Sequence, residues 1–103
     1  MMIETEYTPN PDTLKFLPGK KVSDVGNLEF QKTDKDIKVP LAKQLLSLNG
    51  TVMVFFGKDF ITVKKEKKLK WEDLKHSIIS EINDHYLQGN DVVVKKDSKK
   101  TVL

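Results

Sequence analysis

The sequence predicts an α+β domain, a mostly antiparallel sheet with two helices packed on one face. Three observations carry this prediction. Short β-prone runs bounded by Pro and Gly fill the first third of the chain. Two apolar runs, Val52–Phe56 and Phe60–Val63, face each other across the three residues Gly57-Lys58-Asp59, as in a hairpin. From Trp71 to Leu87 the apolar residues then recur at helical spacing. With 103 residues and no internal repeat, the chain reads as one domain over residues 1–94, followed by a charged tail or the start of a linker over 95–103.

The elements follow in order. Thr5–Thr8 and Leu14–Leu17 are strands separated by Pro9-Asn10-Pro11-Asp12. On the first, Ile3, Thr5 and Tyr7 share one face and leave Glu4 and Glu6 on the other. Pro18-Gly19 ends the second, because Pro has no amide to give to a ladder and Gly permits a turn. The polar, charge-mixed stretch from Lys20 to Lys38 contains one candidate strand, Asn27–Gln31. Pro40 suits the first position of a short helix running to Leu48, with Leu41, Leu45 and Leu48 on one stripe and Ala42 and Leu46 widening it. Asn49-Gly50 supplies a left-handed stop.

Val52–Phe56 is apolar on both faces, which predicts a central strand, and Gly57 at the first loop position suits a type II′-like or bulged turn. Lys64–Lys70, with five Lys, reads as a solvated connection. In the second helix Trp71, Leu74, Ile78, Ile79, Ile82 and Tyr86 form the buried stripe, and Glu72 and Asp73 complement the macrodipole of the first turn. Gly89 ends it, and Val92–Val94 predicts a last strand.

Composition excludes several function classes. Cysteine is absent, which removes disulfides, thiol catalysis and thiolate-held zinc or iron–sulfur clusters. The 18 basic residues are all Lys, against 15 acidic ones, for a net charge of +3. Without Arg the chain lacks the usual bidentate reader of phosphate and guanine. Glu66, Glu72, Asp73 and Asp97 interleave with the lysines and no aromatic ladder accompanies them, so nucleic acid is not the partner this pattern points to. No apolar run could span a bilayer. The N-terminus carries neither a secretory signal nor, with Glu4 and Glu6 so early, the pattern of a transit peptide.

Candidate chemistry is sparse. His76 and His85 lie nine residues apart on one helix, about 900° of rotation, and so cannot share a metal; both read as helix-surface residues. Glu4 and Glu6 stand roughly 7 Å apart on one strand face, a spacing that paired-carboxylate chemistry could use, but the polar side of an exposed strand explains them more simply. Asp34-Lys35-Asp36 lacks the spacing of a cation-binding loop, and helix termination accounts for Asn49-Gly50-Thr51 better than glycosylation. There is no P-loop, no G-x-G-x-x-G, no H-E-x-x-H and no nucleophile elbow, so nothing points to an enzyme.

Thr8-Pro9-Asn10-Pro11-Asp12 is unusual. A strand connection needs one turn former, and here two prolines bracket Asn10. Such a stiff loop would present Asn10 and neighbouring carbonyls to a partner at reduced ordering cost, or it would simply set strand register.

The run Thr8-Pro9-Asn10-Pro11-Asp12-Thr13-Leu14-Lys15-Phe16-Leu17-Pro18-Gly19 closely resembles the opening signature of the Nfu/NifU-like N-terminal domain. The resemblance continues through Pro40-Leu41-Ala42, Asn49-Gly50, Val54–Val63 and Trp71 with Leu74-Lys75, and covers the chain from about Ile3 to Val94. Val39 stands where that family often has Ser or another small cap.

The resemblance implies a part in iron–sulfur cluster assembly. Proteins of this kind usually carry a second, C-terminal domain whose Cys-x-x-Cys motif holds the cluster. This chain has no cysteine and would bind no cofactor itself. It would act as a non-catalytic module that contacts iron–sulfur target or scaffold proteins, or its own C-terminal domain, with no membrane role. Contact is expected at Thr8, Pro9, Asn10, Pro11 and Asp12 with Lys15 beside them, and at a second patch, Gly57, Lys58 and Asp59. The location expected is a bacterial cytoplasm, or the mitochondrial matrix for a trimmed organellar chain. The alternative is a stand-alone interaction domain unrelated to cluster delivery.

Overall fold

A computed structural model describes residues 2–96. Five strands form one antiparallel sheet: β1 (Glu4–Tyr7), β2 (Thr13–Leu17), β3 (Leu28–Gln31), β4 (Thr51–Phe56) and β5 (Ile61–Lys65), in the spatial order β1-β2-β5-β4-β3. Helices α1 (Pro40–Leu46) and α2 (Trp71–Leu87) cover one face. This is the α+β architecture that the sequence predicts. None of the helices among the described residues is long and apolar enough to cross a membrane.

Alternation on the strands builds the core. Leu14 and Phe16 of β2, Ile61 and Val63 of β5, and Val54 and Phe56 of β4 point at the helices and are buried. They meet Leu41, Ala42, Leu45 and Leu46 of α1 and Leu74, Ile78, Ile82 and Tyr86 of α2 in one cluster. The other sheet face is polar and half-covered, with a cross-strand row of Glu6, Lys15, Thr62, Phe55 and Glu29. β5 holds the middle position, and β4 lies between it and the edge strand β3.

Several expectations change in physically informative ways. Helix α1 stops at Leu46, earlier than predicted: after Ser47 the bonds tighten to three-residue steps, Leu48 N–H to Leu45 O at 3.2 Å and Thr51 N–H to Leu48 O at 3.3 Å, and Gly50 serves that turn at φ +103°. A Cβ on Gly50 would lie 2.1 Å from Leu69 Cδ1, a terminal methyl that can turn aside, so it is the dihedral angle that favours glycine there. The β4–β5 turn runs from Gly57 to Phe60, closed by Gly57 N–H donating to Phe60 O at 2.9 Å. Gly57 does not have the positive φ that a type II′ turn needs. Its Cβ position is filled by the Phe60 ring, 2.2 Å away, so a side chain there would have to push that ring off its stack on Phe55. Val92–Val94 forms no regular strand. Val94 makes a single parallel bridge to Ser23, and the amides of Val93 and Val94 both donate to Val22 O at 2.9 Å. Residues 97–103, most of the predicted tail, lie outside the described residues.

Candidate functional site

The loop Thr8–Asp12 joins two antiparallel strands, and its geometry follows from its own residue types. Asn10 Oδ1 accepts from Asp12 N–H at 2.9 Å, an Asx turn, while Thr8 Oγ1 accepts from Asn10 N–H at 3.1 Å. The hydroxyls of Thr8 and Thr13 hydrogen-bond each other, and Asn10 O accepts from Thr13 N–H at 3.0 Å. With φ fixed at Pro9 and Pro11, little freedom is left.

A second set of contacts, from far along the chain, clasps the loop to the body. The indole N–H of Trp71, at the start of α2, donates to Pro11 O at 3.0 Å. Lys65 N–H donates to Asp12 O at 2.9 Å, at the end of β5. The Asp12 carboxylate receives Lys67 Nζ at 3.1 Å and Lys65 Nζ at 3.4 Å. Lys67 is the main reason the Asp12 carboxyl sits below its ordinary value of 3.8; Lys65 adds to the effect, and burial opposes it. Lys65 itself is buried at 6% exposure, with its ammonium over the Trp71 ring at 5.7 Å. The stretch predicted as a solvated connection therefore contributes a buried cation. The reason is the sheet's period of two: Ile61, Val63 and Lys65 share the covered face.

The carbonyls of Asn10, Pro11 and Asp12 each already accept a hydrogen bond from within the chain. The outward parts of the loop are Pro9, Asn10 and Pro11, together with the Tyr7 ring, which is 81% exposed.

The predicted site residues do not form one patch. β2 and β5 are antiparallel, with Thr13 opposite Lys64 and Phe16 opposite Ile61. The Thr8–Asp12 loop is thus at one end of this pair and Gly57-Lys58-Asp59 at the other, separated by the length of β5, about 15 Å. Lys15 lies between them on the open sheet face, 3.9 Å from Glu6 and with its ammonium 4.5 Å from the Phe60 ring centre. Lys58 and Asp59 are exposed; Lys58 O is held by the amides of Val22 at 2.7 Å and Ser23 at 3.3 Å.

At the far end of α2 lies a feature the sequence did not announce. His85 is buried, not on the surface, while His76 is exposed as expected. His85 stands three residues after Ile82 and seven after Ile78, so the apolar stripe itself could have placed it inside. Its Nε2 lies 2.8 Å from Val92 O; a carbonyl only accepts, so Nε2 carries the proton. Asn90 Nδ2 donates to His85 O at 2.8 Å. Next to it, Tyr86 donates its hydroxyl to Lys21 O at 2.8 Å, and burial pushes its phenol up to about 12. Between this segment and the start of α1 runs a groove of about 460 Å³.

No group of three or more His, Asp or Glu among the described residues could hold a metal ion. Without any cysteine, the chain has no thiolates to ligate an iron–sulfur cluster.

Sheet, helices and the clasped loop define a small α+β module. The sequence pattern of the family described as scaffold protein Nfu/NifU N terminal matches residues 3–89, and the chain belongs to that family. Among its relatives, "NifU-like protein 4, mitochondrial" of Arabidopsis thaliana is 38% identical over 99% of this chain. The Homo sapiens "NFU1 iron-sulfur cluster scaffold homolog, mitochondrial" is 42% identical over 93% of it. The chain spans only 40% and 38% of the lengths of these two proteins. The solution structure of a NifU-like protein from Saccharomyces cerevisiae superposes with a TM-score of 0.80, at 27% identity, over 93% of this chain and 86% of that one. A Staphylococcus aureus crystal structure has the same fold, with a TM-score of 0.68 at 24% identity, over 80% of this chain and 99% of that one.

Proposed function

We propose that this domain is the non-catalytic contact module of an iron–sulfur cluster assembly protein, acting by docking and not by holding the cluster. Its partners would be iron–sulfur target or scaffold proteins, or a C-terminal Cys-x-x-Cys domain of the same protein. The family membership and the names of the relatives support the cluster-assembly role. The mitochondrial names favour the organellar setting over a bacterial cytoplasm.

One observation carries the docking reading: the Thr8–Asp12 loop is fixed twice, from within by its Thr and Asn side chains and from outside by Trp71, Lys65 and Lys67. A loop already ordered before binding loses little entropy when a partner arrives. Its outward surface of Pro9, Asn10, Pro11 and Tyr7 is the contact we assign, with Lys15 near the same end of β2 on the opposite sheet face from Tyr7. Gly57-Lys58-Asp59, at the opposite end, would serve a separate contact.

Titrating isotope-labelled protein with a cluster-loaded Cys-x-x-Cys domain of the family tests this. Amide shifts should concentrate at Tyr7–Asp12 and Lys15, and Tyr7→Ala should weaken binding about tenfold while leaving the fold intact, as expected for an exposed aromatic anchor. Shifts confined to other surfaces, or an unchanged affinity for the variant, would dispose of the loop as the docking site.

A further inference from the structure

The groove at the C-terminal end of α2 has a composition that its place in the fold does not require. Its apolar wall is made by Val39 and Pro40 on one side and the irregular Val92–Val94 segment on the other. That segment has no strand neighbours, yet it is pinned by four hydrogen bonds: Val93 and Val94 amides to Val22 O, Asp24 N–H to Val94 O, and His85 Nε2–H to Val92 O. The wall is therefore a fixed surface rather than a loop that could collapse into the space beside it.

The polar lining is one-sided. Lys38 and Lys95 stand on the rim, and Gln44, His85, Gln88 and Asn90 complete the polar lining. Among the described residues, no Asp or Glu lines the groove, although Asp84 and Asp91 lie close by in sequence. The charged side chains among the described lining residues are thus the two lysines. A volume of about 460 Å³ suits a small molecule.

We propose that this groove is a binding site for a small organic carboxylate with a compact apolar body. The valines and Pro40 would cover the body, and Lys38 and Lys95 would attract the charge. The amides of Gln44 and Gln88 would donate hydrogen bonds to the carboxylate oxygens. The apolar wall gives a ligand with an apolar body surface to bury that inorganic phosphate lacks, and the lysine ammonium meets its carboxylate as a point charge. This assignment does not depend on the docking role of the loop, which is at the opposite end of α2.

The test uses benzoate as the probe, with benzyl alcohol as its uncharged counterpart and acetate as the charge without the body. In a titration of isotope-labelled protein, benzoate should shift the amides of Val92–Val94 and the His85 ring, with a dissociation constant of about 1–10 mM. Benzyl alcohol and acetate should each bind at least about fivefold more weakly. The double variant Lys38→Gln/Lys95→Gln, at exposed positions, should lose about fivefold in benzoate affinity with an unchanged amide spectrum elsewhere. The proposal is overturned if benzyl alcohol binds as well as benzoate, if acetate does, or if benzoate shifts scatter over the other lysines. Shifts at Thr8–Asp12 are not expected, so this result and the docking experiment fail independently.

Discussion

The two ends of helix α2 are built differently. At its N-terminus, side chains do the holding: Trp71, Lys65 and Lys67 reach a loop more than fifty residues earlier and fix it through Pro11 O and the Asp12 carboxylate. At its C-terminus, the backbone does most of it: an irregular segment is tied to Val22 and Asp24 by main-chain bonds, and His85 adds one side-chain bond. The first arrangement produces a convex, stiff loop with aromatic and proline surface outward. The second leaves a concave groove with a positive rim. A convex stiff loop suits contact with another folded surface, whereas a concavity with an apolar wall suits a small molecule.

The largest expected effect tests whether the two ends share one core. Phe16 is fully buried and meets Trp71 edge-on, with ring centres 6.4 Å apart. Phe16→Ala should cost about 3–5 kcal/mol in urea unfolding. Amide protection at Val93 and Val94 should fall together with that of the loop, since one cluster contains Phe16, Val93 and Val94. Protection lost only near the loop would show that the ends are separate cooperative units.

A smaller and local effect is expected at the groove end. His85→Ala leaves Val92 O without its partner in a buried setting, at about 1–3 kcal/mol. Hydrogen exchange should speed up more at Val93 and Val94 than at the Thr8–Asp12 amides. Equal acceleration at both ends would erase the distinction drawn between them.

The sequence made the loop end easier to read than the groove end, and the reasons are local. Two prolines around Asn10 and the alternation of Leu14, Lys15, Phe16 and Leu17 are short-range signals, visible within a few residues. So are the hairpin of β4 and β5 and the stripe of α2, and these place nearly every element within one or two residues. The clasp was not visible, because the partners of Asp12 lie 53 and 55 residues away. The lysine run also hides which of its members sheet alternation turns inward. Val92–Val94 misled for the converse reason: its β-prone residues are real, but only Ser23 is available beside Val94, and one bridge does not make a strand. His85 could have been found from its place seven residues after Ile78. Its polarity outweighed that register, and the carbonyl that satisfies it comes from a segment whose path the sequence does not reveal.

The smallest predicted effect separates the clasp from the loop's internal hydrogen bonds by acidity. The Asp12 carboxyl is held below 3.8 chiefly by Lys67 and then by Lys65, so its folded value is lower than its unfolded one. A group of that kind contributes stability that is present above the unfolded value and lost as pH falls through the folded one. Wild-type protein should therefore lose stability progressively as pH is lowered past 3.8, beyond what the other carboxylates cause. Lys67→Gln removes the largest cause of the depression at a side chain that is 90% exposed, so packing is little disturbed. Urea midpoints measured between about pH 6 and pH 3 should fall less steeply for this variant than for wild type. Parallel curves would mean that Asp12 is fixed by the loop's own geometry and Lys65 alone, with Lys67 no more than a surface neighbour.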